Sequence, residues 1–197
     1  MKPRFNGLVA TALFLAAIPA AHAHPGLEPA SGFTGGLAHP FSGWDHILAM
    51  LAVGFWAAQM RAPRLLPAAF LLAMALGAVA GHWTGPVPGV EQAIAASVLL
   101  LGLMIARRAR MPAAAAAACV GAFAVLHGAA HGAEMPASAG AMAYGSGFVA
   151  ATAILLAAGV ASERLAARLP APASRAPGWA FAAAGFVLLA MAAAIRP

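Results

Sequence analysis

The sequence predicts an all-α polytopic membrane protein, in which six transmembrane helices follow a cleaved signal peptide. Of its 197 residues, 63% are hydrophobic and only 8% are charged, whereas a soluble domain has about 25% charged residues. The mean hydropathy is +0.86. The apolar residues form long runs, and most of the charged residues lie between those runs. This composition argues strongly against a soluble globular domain.

The first 23 residues have the three parts of a secretory signal peptide. Lys2 and Arg4 form a basic start, a short apolar run follows, and Ala21-His22-Ala23 matches the small-x-small cleavage pattern. Because the apolar run is shorter than the ~20 residues that a span needs, we predict cleavage rather than an uncleaved first helix. The mature protein is then one transmembrane domain, residues 24–197.

Six long apolar segments follow the signal peptide. They are Gly35–Ala58, Leu65–Gly81, Val90–Ala106, Pro112–Gly132, Ala139–Val160 and Gly178–Ile195. Helices are expected because a bilayer offers no hydrogen-bond partner to an unpaired backbone group. Alanine and glycine are frequent in these segments, and Gly128 and Gly132 form a small-xxx-small pair of the kind that packs two helices closely.

The arginines predict the orientation of the helices. Three of the five loops are basic, with Arg61 and Arg64, then Arg107, Arg108 and Arg110, then Arg164, Arg168 and Arg175. The other two loops contain neither lysine nor arginine. The positive-inside rule makes the basic loops cytoplasmic, so both termini of the mature chain lie outside and only Arg196 is an exception. We therefore expect a multi-pass protein of the bacterial inner membrane.

The basic charge does not indicate nucleic-acid binding. The net charge is +6, but the basic residues are scattered among the loops and form no stripe on one folded face. The charge is instead explained by orientation in the lipid bilayer. The single cysteine, Cys119, excludes an intrachain disulfide and a cysteine-rich metal site.

The first predicted span contains a window of ionisable residues, His39-Pro40-Phe41-Ser42-Gly43-Trp44-Asp45-His46. Ionisable groups inside a membrane are costly and are functional by default. In a continuous helix, His39 and His46 lie two turns apart on one face, with Asp45 on its flank. Pro40 and Gly43 would bend the helix and free carbonyl groups as extra ligands.

The fourth predicted span contains a second window, His127-Gly128-Ala129-Ala130-His131-Gly132-Ala133-Glu134. The spacing places His127, His131 and Glu134 on one helix face. Two histidines four residues apart on a helix commonly bind the same metal ion. The two windows lie in the first and fourth spans, which suggests two inverted halves of three spans each, as in many transporters.

The predicted topology places both windows in the outer half of the membrane, so we expect one shared metal site. Its ligands are His39, Asp45, His46, His127, His131 and Glu134. Imidazole nitrogen with carboxylate oxygen suits a divalent transition metal, although Asp45 could instead orient a ligating histidine. Secondary candidates are His24, which cleavage would make N-terminal, His82 and Glu91. The alternative is that these histidines only join helices through hydrogen bonds and that Glu134 faces water.

The two windows resemble the signatures of the HupE/UreJ family, the first over His39–Met50 and the second over His127–Glu134. Residues 91–99 and 147–152 are similar to its third and fifth spans. The resemblance implies a nickel or cobalt permease accessory to hydrogenase and urease, with the six ligands named above at motif positions. Leu156 stands where many members carry a histidine, which implies one ligand fewer and a less certain metal.

The resemblance and the residues together predict secondary or facilitated uptake of Ni²⁺, with Co²⁺ as the second candidate. The chain has no Walker A sequence, so we expect no ATP hydrolysis, no enzymatic activity and no cofactor besides the transported ion. The main rival is an intramembrane zinc hydrolase, because several histidines and a carboxylate can also activate water on Zn²⁺. A third reading is a metal sensor or chaperone subunit. The sequence leaves homo-oligomerisation open.

Overall fold

A computed structural model describes residues 32–135 and 140–194, which form seven α-helices and one 3-10 turn. The elements are α1 (Gly32–Ala38), the turn His39–Phe41, α2 (Trp44–Gln59), α3 (Leu65–Thr84), α4 (Val90–Ala106), α5 (Ala113–Glu134), α6 (Ala141–Ala166) and α7 (Ala171–Ala194). The predicted all-α class is confirmed. The signal peptide predicted for residues 1–23, and His24 after it, lie outside the described residues.

Four of the helices, α3, α5, α6 and α7, are long and apolar enough to cross a membrane, and α4 is a shorter apolar helix. Large apolar side chains on the outside of the bundle, such as Leu72, Leu76 and Val79 of α3, are exposed rather than buried. Such a surface suits lipid, because it would be a large apolar patch in water. These helices and this surface are consistent with a polytopic membrane protein. The total of six spans stays a prediction.

The first predicted span, Gly35–Ala58, is not one continuous helix: the bend expected at Pro40 and Gly43 is a full break, and the single helix face expected for His39 and His46 was wrong. Helix α1 ends at Ala38, and Gly43 is extended, with φ −119° and ψ 127°, immediately before α2. Pro40 has no backbone N–H to continue an α-helix, and it occupies the 3-10 turn instead. The break leaves α2 with 16 residues and places His39 and His46 on separate elements.

Glycines bring three pairs of helices into backbone contact. A Cβ added at Gly77 or Gly81 of α3 would collide with backbone atoms of α5, and one added at Gly128 or Gly132 would collide with the backbone of α3. The predicted small-xxx-small pair is therefore the contact surface between α5 and α3. Since residue numbers rise together along this interface, α3 and α5 run parallel.

The other two pairs are built in the same way. Gly36 of α1 packs against the Tyr144 backbone of α6, and Gly54 of α2 packs against the Leu156 backbone farther along α6. Because residue numbers again rise together, α1 and α2 run parallel to α6. Gly102 of α4 packs against Ala182 of α7. Gly185 of α7 contacts Leu99, which lies earlier in α4. Helices α4 and α7 are therefore antiparallel.

The basic loops meet at one end of this bundle. Arg61, Arg108 and Arg110 line a cavity of about 280 Å³ together with Glu163 from the end of α6. Arg108 also donates a hydrogen bond of 2.8 Å to Ser174 Oγ near the start of α7. The ionisable windows lie at the opposite end of the helices, as the loop charges predict.

Candidate metal centre

A cluster of three ligating groups forms where the 3-10 turn meets the last turn of α5. His39 Nε2 lies 2.8 Å from His131 Nδ1 and 3.3 Å from Glu134 Oε2. His131 Nδ1 is 3.9 Å from the same carboxylate oxygen. Three donor atoms from these residues lie within 4.8 Å of one another and could hold a metal ion. We call His39, His131 and Glu134 the outer group.

Asp45 is paired with His46 at the start of α2. Asp45 Oδ1 accepts a hydrogen bond of 2.9 Å from the His46 backbone N–H and one of 2.8 Å from His46 Nδ1. A carboxylate in the first turn is also favoured by the helix dipole. Since Nδ1–H donates to Asp45, the lone pair of neutral His46 is on Nε2. The carboxylate therefore orients this histidine, an arrangement common behind metal-bound imidazoles.

His127 is fully buried one turn before His131. Its Nδ1 donates a hydrogen bond of 2.8 Å to the Phe123 carbonyl, which can only accept, so the lone pair of this neutral ring is also on Nε2. The centre of the His46 ring lies 5.5 Å from that of His127 and 4.1 Å from that of His131. The three imidazoles thus form a continuous cluster below the outer group.

Three imidazole nitrogens of this cluster are buried and, within residues 32–135 and 140–194, have no hydrogen-bond partner. They are the Nε2 atoms of His46, His127 and His131, and we call them the open nitrogens. A buried polar atom without a partner costs about 1–3 kcal/mol, and each case in a native structure needs an explanation. A shared cation is one partner that all three nitrogens could bind.

Exposure of the side chains falls from the end of the bundle towards its interior. The Glu134 side chain is 56% exposed, that of His39 is 20% exposed and that of His131 is 5% exposed. Aromatic rings form walls beside them, since the Phe148 ring centre lies 4.6 Å from that of His131 and 6.1 Å from that of His39. The cluster therefore has a mouth at Glu134 and an enclosed end.

Two of the secondary candidates lie at this end of the bundle without joining the cluster directly. His82 is exposed in the last turn of α3, and its ring contacts that of Trp83 at a centroid distance of 5.8 Å. Glu91 is exposed in the first turn of α4, close enough to Asp45 and His46 to interact with them electrostatically. In the described part of the chain, neither side chain forms an ion pair with the histidines.

Leu156 lies in the apolar core, buried in α6, with its backbone against Gly54. The chain therefore places a hydrophobic side chain at the position where the family resemblance suggests a histidine. Gly43 lies directly beside the Asp45–His46 pair, although its sequence position suggested only a bend. A Cβ there would lie 2.6 Å from Asp45 Oδ1 and 2.8 Å from His46 Nδ1, so the residue makes room for that pair, which no sequence pattern signals.

Comparison with known proteins identifies the family. Residues 11–188 match the family model described as HupE / UreJ protein. The chain is also 46% identical over 186 residues to Protein HupE of Rhizobium leguminosarum bv. viciae, and the match covers 92% of this chain and 96% of that relative. No solved structure matches the chain. Two independent comparisons that span nearly the whole sequence agree, and the chain belongs to the HupE/UreJ family.

Proposed function

We propose that this protein transports a divalent transition-metal cation, with Ni²⁺ as the first candidate and Co²⁺ as the second, across the bacterial inner membrane into the cell. One observation carries the proposal. Four imidazoles and two carboxylates, graded from exposed to buried, lie together at one end of a bundle of apolar helices. The resemblance of both windows to signatures of a family of nickel and cobalt permeases points to the same cargo.

The donor set suits such an ion. Imidazole nitrogen with a few carboxylate oxygens favours borderline metals such as Ni²⁺ and Co²⁺ over Ca²⁺ or Mg²⁺, which prefer oxygen ligands alone. The carboxylates of Glu134 and Asp45 offset the cost of removing water from a dication. Inward movement is also favoured by the membrane potential, at about 2.3 kcal/mol per charge per 100 mV, and needs no ATP.

The test is uptake of radioactive Ni²⁺ into proteoliposomes that contain the purified protein, with an inside-negative potential. We expect the His46→Ala and Glu134→Gln variants to lose uptake to the level of protein-free liposomes. His82→Ala is the matched histidine control, because His82 lies at the same end outside the cluster. Glu163→Gln is the matched carboxylate control, because Glu163 lies at the opposite end. Both controls should transport like the wild type.

Two results would contradict the proposal. Wild-type uptake by His46→Ala would show that the cluster is not on the transport path. Ni²⁺ binding without any uptake by the wild-type protein would favour a sensor or chaperone subunit. The hydrolase interpretation gains no support from the family match, and it would need the metal-loaded protein to cleave a lipid or peptide.

A further inference from the structure

His131 presents its two ring nitrogens to different neighbours. Its Nδ1 belongs to the outer group, at 2.8 Å from His39 Nε2 and 3.9 Å from Glu134 Oε2. Its Nε2 is one of the open nitrogens and is buried. The ring centre of His131 lies 4.8 Å from that of His39 and 4.1 Å from that of His46. The ring therefore stands between two sets of donors.

The second set consists of the three open nitrogens themselves. The opposite nitrogens of His46 and His127 are already bonded, to Asp45 and to the Phe123 carbonyl, so their lone pairs are on Nε2. Two imidazoles that share one metal, at about 2.0–2.1 Å per bond, have ring centres roughly 4.5–5.5 Å apart. The ring-centre distance of 5.5 Å between His46 and His127 lies in that range, and the distance of 4.1 Å between His46 and His131 is slightly shorter, so these two rings must move apart to share an ion. We call the Nε2 atoms of His46, His127 and His131 the inner group.

We infer that the cation is held at two successive three-donor centres, the outer group and then the inner group, and that His131 hands it from one to the other. The inference rests on the proposed function, because it describes the path of the same cargo. A neutral imidazole has one ring-nitrogen lone pair, so His131 binds the ion at one centre at a time. The handover therefore changes the tautomer: Nε2 releases its proton to water that leaves with the ion's hydration shell, and Nδ1 takes up one proton from solvent at the exposed outer group. The two centres are then occupied alternately by a single ion.

The different chemistry of the two centres gives the path a direction. The outer group includes a half-exposed carboxylate that attracts a hydrated dication, whereas the inner group offers three buried nitrogens. His127 lies about 6 Å deeper along the axis of α5 than His131, at 1.5 Å per residue. The inner group borders the apolar core, where the Phe70 ring centre lies 5.9 Å from that of His127. Entry to the inner group therefore requires loss of most bound water.

The experiment separates the two centres by equilibrium binding, with Ni²⁺ as the probe. X-ray absorption of Ni²⁺ on the purified full-length protein reports the nitrogen and oxygen ligands, and uptake is measured separately. We expect His127→Ala to lose uptake but to weaken binding by less than about tenfold, with the carboxylate still among the ligands. His39→Ala should instead bind Ni²⁺ through nitrogen ligands without the carboxylate. His131→Ala should lose Ni²⁺ binding at both centres, whereas His82→Ala should keep binding at both.

One shared centre would give different results. If His127→Ala abolishes binding as fully as His131→Ala, or if His127→Ala transports like the wild type, the two-centre path is wrong. His127→Asn, which leaves a smaller gap in the core, is measured beside it, and a thermal melt checks that both variants fold. The binding measurement can be made whether or not the protein transports Ni²⁺. A wild-type protein that binds Ni²⁺ in both modes without uptake would overturn the proposed function and leave the two centres standing.

Discussion

Asp45 shows how one residue combines charge and orientation. Its Oδ1 atom accepts hydrogen bonds from both the backbone N–H and the ring Nδ1 of His46, so the imidazole is fixed with its lone pair on Nε2. The negative charge behind the ring also makes it a better donor to a cation. Asp45 therefore sets the orientation and raises the basicity of His46, which is a candidate ligand, whether or not Asp45 itself would touch the ion.

This role predicts the behaviour of Asp45→Asn. The amide oxygen can still accept a hydrogen bond from His46, but the charge is lost, so the apparent affinity for Ni²⁺ should fall by about 10–100-fold. The measurement is the KM of Ni²⁺ uptake in proteoliposomes, with Glu163→Gln as the control for loss of a carboxylate. An unchanged KM would show that the Asp45 charge does not support the ligand.

Gly43 provides a second prediction for a single residue. A Cβ at this position would lie within 2.6–2.8 Å of the bonded atoms of Asp45 and His46, so Gly43→Ala should displace the pair and reduce Ni²⁺ uptake by about tenfold or more. Gly145→Ala in α6 is the matched control, because a Cβ there would meet none of the described atoms within 4 Å. Equal uptake by the two variants would contradict the steric role of Gly43.

The helices depend on glycine because apolar burial contributes little to helix association in lipid. Lipid tails are as apolar as leucine, so membrane helices associate mainly through close packing and hydrogen bonds. In this bundle, glycines of both partners face the other helix at the α3–α5, α2–α6 and α4–α7 interfaces. Helix α5 carries His127, His131 and Glu134, and its distance from α3 is therefore set by this packing.

The contact between α3 and α5 predicts that Gly77→Ala is destabilising. Its Cβ would collide with backbone atoms of Val125, which cannot rotate away, and overpacking of this kind costs about 1–3 kcal/mol. Gly121→Ala lies in the same interface, but its Cβ would be 3.8 Å from the nearest atom, Ala73 Cβ. The thermal midpoint of the detergent-purified protein should fall for Gly77→Ala and stay unchanged for Gly121→Ala. Equal midpoints would mean that the helices separate easily.

Most elements could be predicted from the apolar runs. Both ends of the helix Val90–Ala106 and the start of the helix at Leu65 matched the structure. The broken first span was missed because hydropathy continues through Pro40 and Gly43, although both residues were seen as bends. The histidines were found because ionisable groups are rare in an apolar segment. The contacts between them could not be predicted, because they depend on which helices pair, and the glycine patterns of single helices do not specify partners.

The way the helices pair in the whole molecule fits the expected arrangement of two inverted halves with three spans each. With α1, the turn and α2 counted as the first element, the first pairs with the fifth, the second with the fourth, and the third with the sixth. Exchange of the two halves converts the first pair into the second and leaves the third unchanged. The two exchanged pairs are each parallel and α4–α7 is antiparallel, as a two-fold axis in the membrane plane requires. Because this axis exchanges the two membrane faces, it does not relate the windows of His46 and His127, which lie together at one end of the bundle.

The orientation of the molecule decides which side the cation enters from, and it can be measured with single cysteines. After Cys119 is replaced by serine, Thr84→Cys is exposed at the histidine end and Leu169→Cys is exposed at the arginine end. Because the basic loops are expected in the cytoplasm, an impermeant maleimide added to right-side-out membrane vesicles should label Thr84→Cys. It should label Leu169→Cys only after permeabilisation. The reverse pattern would place the outer group in the cytoplasm, and the same donors would then capture the ion for export.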